Sequence, residues 1–388
     1  MPRVKRFLCL SLCLFLIFVL LPLSASAQSA PALSASSAIL IDKDSGSVLF
    51  EKNADERLPM ASTTKIMTAL VALSLAEPTT EIRVPSGAVG IEGSSAYLKE
   101  GEVFTLEELL YALLLQSAND AAAAIAISLS GSVEVFVEEM NRTASALGLT
   151  HTHFDTPGGL DGKTHYTTAR DLARLTKIAL EHPLFARIVA TKTYTIPASD
   201  ARAQRSFVNH NKLLFRYAGC VGVKTGFTKK SGRCLVSAAE RDGVFLIAVT
   251  LDDPDDWRDH ETLFDYGFST LQSKTICRAG EVLTDLPLVG GLEERLSLAA
   301  EHDLSLTLPK GAQLKPVFDL PPFAYAPIES GERVGALLVY SILPDAEPTL
   351  CGSVPLVANE DHPTAKKPSF WKRIVTKVLS IFRKETRS

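Results

Sequence analysis

Four helical patterns follow one another in the middle of this chain, and strand-forming sequences enclose them on both sides. The helical segments are rich in Ala, Leu and Glu, and they cover residues 65–76, 106–115, 120–129 and 133–147. On the N-terminal side, apolar runs flank the turn sequence Asp44-Ser45-Gly46 and predict a β-hairpin over residues 36–52. On the C-terminal side, short β-branched runs predict three strands of one antiparallel sheet, at residues 221–224, 234–238 and 244–251. This order predicts an α/β sandwich, in which helices pack on a sheet built from both ends of the region.

A second domain is expected after residue 275, where the pattern changes again. Residues 280–355 alternate short apolar runs with Gly- and Pro-containing turns, which is typical of a small all-β domain. We therefore place a catalytic domain at residues 28–275 and a β-sandwich domain at residues 276–356. Residues 357–388 would form a polar linker and a last helix. With 46% hydrophobic residues, the chain can bury a sizeable core, which excludes a disordered or fibrous protein.

The first 27 residues carry an export signal. Arg3, Lys5 and Arg6 precede an uncharged apolar run at residues 7–23, and Ala25-Ser26-Ala27 has the small residues of a cleavage site. The run is also near the lower length limit for a membrane span, so an uncleaved anchor is the alternative. We expect cleavage after Ala27 and a mature protein outside the cytoplasm, attached to the outer face of the cytoplasmic membrane or to the cell envelope.

The tail is predicted to attach the protein to a membrane surface. Residues 362–388 carry eight Lys or Arg against Glu385 alone, and apolar residues recur at helical spacing among them. The apolar segment is too short to span a bilayer but suits an interfacial helix. The alternative is a helix docked on the protein's own core. Because the formal net charge of the whole chain is -4, no nucleic-acid partner is implied.

Four cysteines remain after leader removal: Cys220, Cys234, Cys277 and Cys351. An even number outside the cytoplasm permits disulfides, but buried free thiols are the preferred interpretation, because a chain of this length does not need such cross-links. No C-x-x-C and no clustered His/Cys spacing occurs, so neither a metal nor a cofactor is predicted.

Ser62-Thr63-Thr64-Lys65 stands directly before the first helical pattern. On a first helical turn, residues i and i+3 point the same way, so the hydroxyl of Ser62 and the amine of Lys65 would meet. A serine becomes a nucleophile when a base removes its proton, and a desolvated Lys can be that base. The pattern alone is weak, because Ser369-Phe370-Trp371-Lys372 in the tail also satisfies it.

Two further motifs carry groups that could complete such a site. Ser117-Ala118-Asn119 interrupts a helical stretch and would present a hydroxyl and a carboxamide to one side, although a simple helix cap is the plainer interpretation. Lys224-Thr225-Gly226 lies on a predicted strand, where Lys and Thr could bind a carboxylate and Gly permits close approach. A solvated strand end is the alternative.

The three motifs occur together in the order S-x-x-K, S-x-N, K-T-G, which is the signature of penicillin-binding proteins and related β-lactamases. The region from about residue 36 to residue 268 resembles the low-molecular-mass D-alanyl-D-alanine carboxypeptidases of peptidase family S11. Further matching segments are Pro59-Met60-Ala61, Pro157-Gly158-Gly159-Leu160, Thr168-Ala169-Arg170-Asp171-Leu172 and Asp265-Tyr266-Gly267-Phe268. The resemblance implies a fold of the serine β-lactamase and penicillin-binding type, followed by the small β domain and a basic amphipathic helix.

The resemblance also implies roles. Ser62 would attack the carbonyl between the last two D-alanines of a peptidoglycan stem peptide, with Lys65 as base and Ser117 as the proton carrier toward the leaving amine. Asn119 would hold the donor peptide, Lys224 would supply positive potential, and Thr225 of the K-T-G segment that ends at Gly226 would bind the terminal carboxylate. The backbone N–H groups of Ser62 and Phe227 would form an oxyanion hole. β-Lactam antibiotics would acylate Ser62 as covalent inhibitors.

Two positions depart from the better-known members. They usually carry an Arg twelve residues before the Phe of a segment like 265–268, whereas this chain has Asp256 there and Arg258 two residues later. We expect Arg258 to contribute to carboxylate binding, with a surface ion pair as the alternative. At His210 an Arg is common, and we assign the histidine no catalytic role.

Three other functions compete with the carboxypeptidase. A class A β-lactamase needs a Glu-x-x-Leu-Asn loop, and the nearest match, residues 181–185, has Phe185 in place of Asn. A murein endopeptidase of the same fold would share all three motifs. A non-catalytic envelope-binding protein is disfavoured by the intact Ser62, Lys65 and Lys224.

Overall fold

The computed structural model describes residues 30–200, 202–342 and 347–365. The predicted leader (1–27) and the predicted basic helix of the tail lie outside these ranges. Within them, the α-helices are α1 (Lys65–Leu75), α2 (Leu106–Leu115), α3 (Asn119–Ser130), α4 (Val133–Ala146), α5 (Ala169–Leu180), α6 (Pro183–Ala190), α7 (Leu213–Arg216) and α8 (Asp256–Thr270).

A five-stranded antiparallel sheet forms the centre of the first domain, in the order β2-β1-β9-β8-β7. Its strands are β1 (Ser37–Asp42), β2 (Val48–Lys52), β7 (Cys220–Thr228), β8 (Gly232–Arg241) and β9 (Val244–Leu251). The predicted hairpin and the predicted C-terminal strands are therefore confirmed, and β1 joins them in one sheet by pairing with β9. Every residue of β1 is buried, because α5 and α8 both pack on this strand. The α/β sandwich is confirmed.

The helical subdomain forms because the sequence marks its helix ends clearly. Thr105 and Glu108 make a reciprocal capping box at the start of α2. Gly131 ends α3 in the left-handed conformation, with φ of 82°, and the Ser132 hydroxyl accepts from the Val135 N–H to begin α4. Two short antiparallel strand pairs adjoin these helices: β3 (Glu81–Arg83) with β4 (Val103–Thr105), and β5 (Thr193–Ile196) with β6 (Arg205–Val208).

The second domain is all β, as expected. Its six-stranded sheet has the order β14-β16-β17-β12-β11-β15, and β10 pairs with β13 beside it. The strands are β10 (Leu271–Cys277), β11 (Val282–Val289), β12 (Arg295–Ala300), β13 (Leu304–Pro309), β14 (Gln313–Asp319), β15 (Ala324–Tyr325), β16 (Arg333–Ile342) and β17 (Thr349–Ala358). Because β10 pairs with β13, this domain begins at Leu271, a few residues before the expected boundary at 276.

In the described residues, Cys220, Cys234, Cys277 and Cys351 are free thiols. Burial raises the pKa of Cys234 to about 11, so this thiol stays protonated and unreactive at neutral pH.

In the described ranges no single helix has both the length and the hydropathy needed to cross a membrane. The helices α3 and α4 satisfy these criteria only when they are taken together, and an 88° bend separates them.

Candidate active site

The three motifs meet at one cleft of about 330 Å³, between the edge strand β7 and the helical subdomain. Its lining residues are Ser62, Ser94, Ser117, His210, Lys212, Thr225, Gly226, Phe227, Arg233, Asp256 and Trp257. Each motif thus contributes a side chain to the same cavity, although the motifs are separated by 55 and 107 residues in the sequence.

Ser62, the predicted nucleophile, lies on a tight 3₁₀ turn, Ala61–Thr64, that leads directly into α1 and is called the nucleophile turn below. The two threonines of the motif hold this turn: Thr63 Oγ1 donates to Met60 O at 2.7 Å, and Thr64 Oγ1 donates to Ala61 O at 2.8 Å. Ala61 itself has φ of 47°, a conformation that disfavours a residue with a Cβ. The turn is therefore fixed by side-chain hydrogen bonds rather than by backbone preference.

His165 stabilises the same turn through a hydrogen bond to Thr64. Its Nδ1 accepts from the Asp155 N–H at 2.9 Å, so its Nε2 donates to Thr64 Oγ1 at 2.7 Å. Burial lowers the pKa of His165 to about 4, which keeps this neutral form at all physiological pH values. No sequence pattern pointed to His165, because an isolated histidine has no distinguishing neighbours.

Lys65 is completely buried, and its Nζ contacts three oxygen atoms. The distances are 3.0 Å to Ser62 Oγ, 2.7 Å to Asn119 Oδ1 and 2.5 Å to Gly158 O. Burial, and then the positive charge of Lys224, hold the pKa of Lys65 well below its usual range. A neutral amine has two N–H donors and one lone pair. Since the two carbonyl oxygens can only accept, the lone pair is left for the Ser62 hydroxyl.

The carbonyl of Gly158 belongs to a segment whose role the sequence did not reveal. The Pro157–Leu160 segment packs against the nucleophile turn so closely that a Cβ at Gly159 would lie 2.0 Å from Ala61 O. Gly159 also has φ of 83°. The two adjacent glycines were the available signal, because they permit this backbone to reach Lys65.

Ser117 and Asn119 stand where α3 begins. Ser117 has φ of 61° and lines the cleft opposite the nucleophile turn. Both polar atoms of the Asn119 carboxamide are hydrogen-bonded: Oδ1 accepts from Lys65 Nζ, and Nδ2 donates to Glu92 O at 2.7 Å. These contacts make Asn119 a positioning group for Lys65, a role that the sequence did not predict.

The adjacent Asp120 was also missed. Its buried carboxylate accepts from Ser95 Oγ at 2.6 Å and from the N–H groups of Ala96 and Leu98 at 3.0 Å each. It thereby ties the loop that carries the cleft residue Ser94 to the start of α3. Its negative charge also acts on Lys65 and raises its pKa, in opposition to burial.

Strand β7 carries the K-T-G motif along the other side of the cleft. Lys224 is buried, which lowers its pKa to about 7, and its Nζ donates to Thr225 O at 3.0 Å. Thr225 and Phe227 line the cavity. A Cβ at Gly226 would lie 3.1 Å from both Met60 O and Ser62 N, so a side chain there would push the strand and the nucleophile turn apart by a few tenths of an ångström.

Arg258 is not brought to this site. It is exposed and does not line the cleft, whereas its neighbours Asp256 and Trp257 do. Successive residues of a helix point about 100° apart, so the first turn of α8 directs those two side chains inward and Arg258 outward. For the alternative, a surface ion pair of Arg258, the nearby carboxylates in the sequence are Asp255 and Glu261; Glu261 pairs with Arg216, at 2.8 Å.

Comparison with protein-family models agrees with this geometry. The family model described as D-alanyl-D-alanine carboxypeptidase matches residues 24–255. The chain belongs to this family. A second model, described as the C-terminal domain of penicillin-binding protein 5, matches residues 271–364, which corresponds to the all-β domain.

Individual relatives extend over most of the chain. A Bacillus subtilis D-alanyl-D-alanine carboxypeptidase, DacF, is 31% identical over 351 residues, covering 87% of this chain and 88% of DacF. The crystal structure of penicillin-binding protein 5 from Haemophilus influenzae superimposes with a TM-score of 0.67 at 28% identity, covering 86% of this chain and 99% of that one. A D-alanyl-D-alanine endopeptidase from Pseudomonas aeruginosa is 34% identical over 208 residues, covering 53% of this chain and 66% of the endopeptidase.

Proposed function

We propose that this protein is a serine carboxypeptidase that removes the terminal D-alanine from peptidoglycan stem pentapeptides through an acyl-enzyme on Ser62. The observation that carries this proposal is the arrangement around Lys65, whose Nζ lies 3.0 Å from Ser62 Oγ and is held by two carbonyl oxygens. Family membership supports the choice of substrate.

In the acylation step, Lys65 removes the Ser62 proton as Oγ attacks the carbonyl carbon of the penultimate D-alanine. The backbone N–H groups of Ser62 and Phe227 would stabilise the oxyanion, an effect worth about 3 kcal/mol per donor. Collapse of the tetrahedral intermediate breaks the peptide bond, and the proton passes from Lys65 through Ser117 to the departing amine of D-alanine.

In the deacylation step, water attacks the Ser62 ester and Lys65 again accepts a proton, which returns to Ser62 Oγ. The product is a stem tetrapeptide. β-Lactams would form the same ester on Ser62, but their opened ring stays attached to the acyl group and does not leave the cleft. Slow hydrolysis of that ester is what separates a penicillin-sensitive carboxypeptidase from a β-lactamase.

The product assay distinguishes this function from its competitors. Incubation of the purified mature protein with a pentapeptide ending in D-Ala-D-Ala should release free D-alanine, detected by D-amino-acid oxidase. An endopeptidase would instead cleave cross-linked muropeptide dimers and leave the linear pentapeptide intact. Rapid, repeated turnover of a penicillin would indicate a β-lactamase, and absence of all three activities would contradict the proposed enzyme.

We further propose export and attachment to the outer face of the cytoplasmic membrane through residues 368–388. The support is the leader pattern at residues 1–27 and the local charge of +7 in residues 362–388, which anionic lipid attracts. The β domain ends next to this segment: Ala365 N donates to Gly290 O at 2.8 Å. The last described residues are therefore held on the second domain.

Deletion of residues 368–388 should release a soluble enzyme with full activity. The deletion removes the basic and apolar side chains but leaves both domains complete. Fractionation of cells followed by the D-alanine assay measures both effects, and a full-length protein processed in the same cells is the control. A truncated protein that stayed with the membrane fraction after leader cleavage would contradict the anchor.

A further inference from the structure

The cleft holds a guanidinium group that does not belong to any of the three motifs. Arg233 stands on β8, directly opposite Phe227 on β7, and it lines the cavity together with Thr225. Among the described residues that line the cleft, Arg233 is the one arginine. Its position is thus next to the end of the K-T-G strand, where the carboxyl end of a substrate would lie.

The Arg233 side chain is held from the side of α8. One guanidinium nitrogen, Nη2, lies 2.9 Å from Asp256 Oδ1, and the guanidinium carbon lies 5.6 Å from the centre of the Trp257 ring. The Asp256 carboxylate is itself fixed, because its Oδ1 also accepts from the Trp257 N–H at 2.9 Å. The Arg233 side chain remains 42% exposed while that of Asp256 is 4% exposed, so the pair is open on the arginine side.

A guanidinium has five N–H donors in a planar fork, and the contact with Asp256 runs through one of its nitrogens. The others can donate to a second carboxylate in the paired geometry that arginine favours. The charge is also permanent, since arginine does not lose its proton in proteins. Lys224, in contrast, has a pKa of about 7 and carries only part of its charge at neutral pH.

Resting on the proposed carboxypeptidase function, we propose that Arg233 is the residue that binds the free α-carboxylate of the terminal D-alanine, together with Thr225. Asp256 and Trp257 position its guanidinium. Better-known family members carry a positive charge at the position of Asp256 on α8. In this chain the charge comes instead from Arg233 on the neighbouring strand β8. Asp256 then serves as the partner that orients this charge.

The test compares two substrates that differ only at the C-terminus: a peptide ending in D-Ala-D-Ala with a free carboxylate, and the same peptide ending in an amide. The Arg233→Gln variant should lose about 10- to 100-fold in kcat/KM on the acid, as expected for a lost charged hydrogen bond, and less than about threefold on the amide. The preference for the acid should therefore nearly vanish. Equal losses on both substrates, or no loss, would overturn the proposal.

Three further variants make the outcome decisive. Arg233→Lys keeps the ion pair with Asp256 but lacks the planar fork, so its acid preference should fall to an intermediate value even if Arg233→Gln folds poorly; an unchanged preference would overturn the proposal. Arg216→Gln, which breaks an exposed ion pair with Glu261 outside the cleft, is the matched control, and its acid preference should equal that of the wild type.

If Arg258→Gln lost the acid preference while Arg233→Gln kept it, Arg258 would be the carboxylate ligand. A wild-type protein without D-alanine release would instead refute the carboxypeptidase itself.

Discussion

The Ser62→Ala variant should lose both D-alanine release and covalent labelling by penicillin, down to the detection limit. The replacement removes the Ser62 hydroxyl, whose Oγ lies 3.0 Å from the buried Lys65 Nζ, so no acyl-enzyme can form. Fluorescent penicillin labelling and the D-alanine assay measure the two losses. Retained labelling would show that another residue is the nucleophile.

Ser369→Ala is a suitable control for this experiment. Ser369 and Lys372 repeat the S-x-x-K spacing in the tail, away from the other two motifs. If spacing alone were responsible for reactivity, both serine variants would lose labelling. We expect the Ser369 variant to label as the wild type does. Circular dichroism should show that both variants retain the fold, since Ser62 Oγ makes few contacts beyond Lys65 and Gly158.

The Lys65→Ala variant should reduce the acylation rate by about 10²- to 10⁴-fold, the contribution of a positioned general base. Lys65→Arg is the sharper variant, because a guanidinium keeps the positive charge but cannot accept a proton at physiological pH. Both variants should be similarly inactive if Lys65 acts as a base. An arginine variant with near-normal acylation would indicate that position 65 needs only a positive charge.

The pH dependence of acylation gives a second measurement of the same pair. Lys65 must be neutral to accept a proton, so acylation should weaken at low pH as this amine gains its proton. Lys224 is charged below its pKa of about 7 and neutral above it, so the assistance it gives should decline as the pH rises through that value. Stopped-flow acylation by penicillin should therefore show a bell-shaped profile, and a profile that rises without a decline would exclude a role for the Lys224 charge.

The sequence alone predicted much of the fold because its local signals agree with each other. The capped helices of the middle block, the hairpin at residues 36–52 and the β-branched strands all appear in the structure close to their predicted bounds. Gly131-Ser132, which separates two helical patterns, supplies both the end of α3 and the start of α4. Such features depend on neighbouring residues, so they can be recognised without tertiary contacts.

The sequence also marked the side chains that we propose carry the reaction, because Ser62, Lys65, Ser117 and Lys224 lie in short motifs of fixed spacing. Only the tertiary structure decided how they are supported and what stands around them. The carbonyl of Gly158 comes from a segment far from all three motifs in the sequence, whereas Asp120 and Arg233 lie close to two of the motifs but belong to none, so no local pattern marks their contacts. Arg258 illustrates the same limit, since its place on the first turn of α8 directs it outward while Asp256, two residues earlier, faces Arg233. Spacing along the chain fixes which residues share a helical turn, but which of them faces the cleft depends on how that helix packs against the sheet.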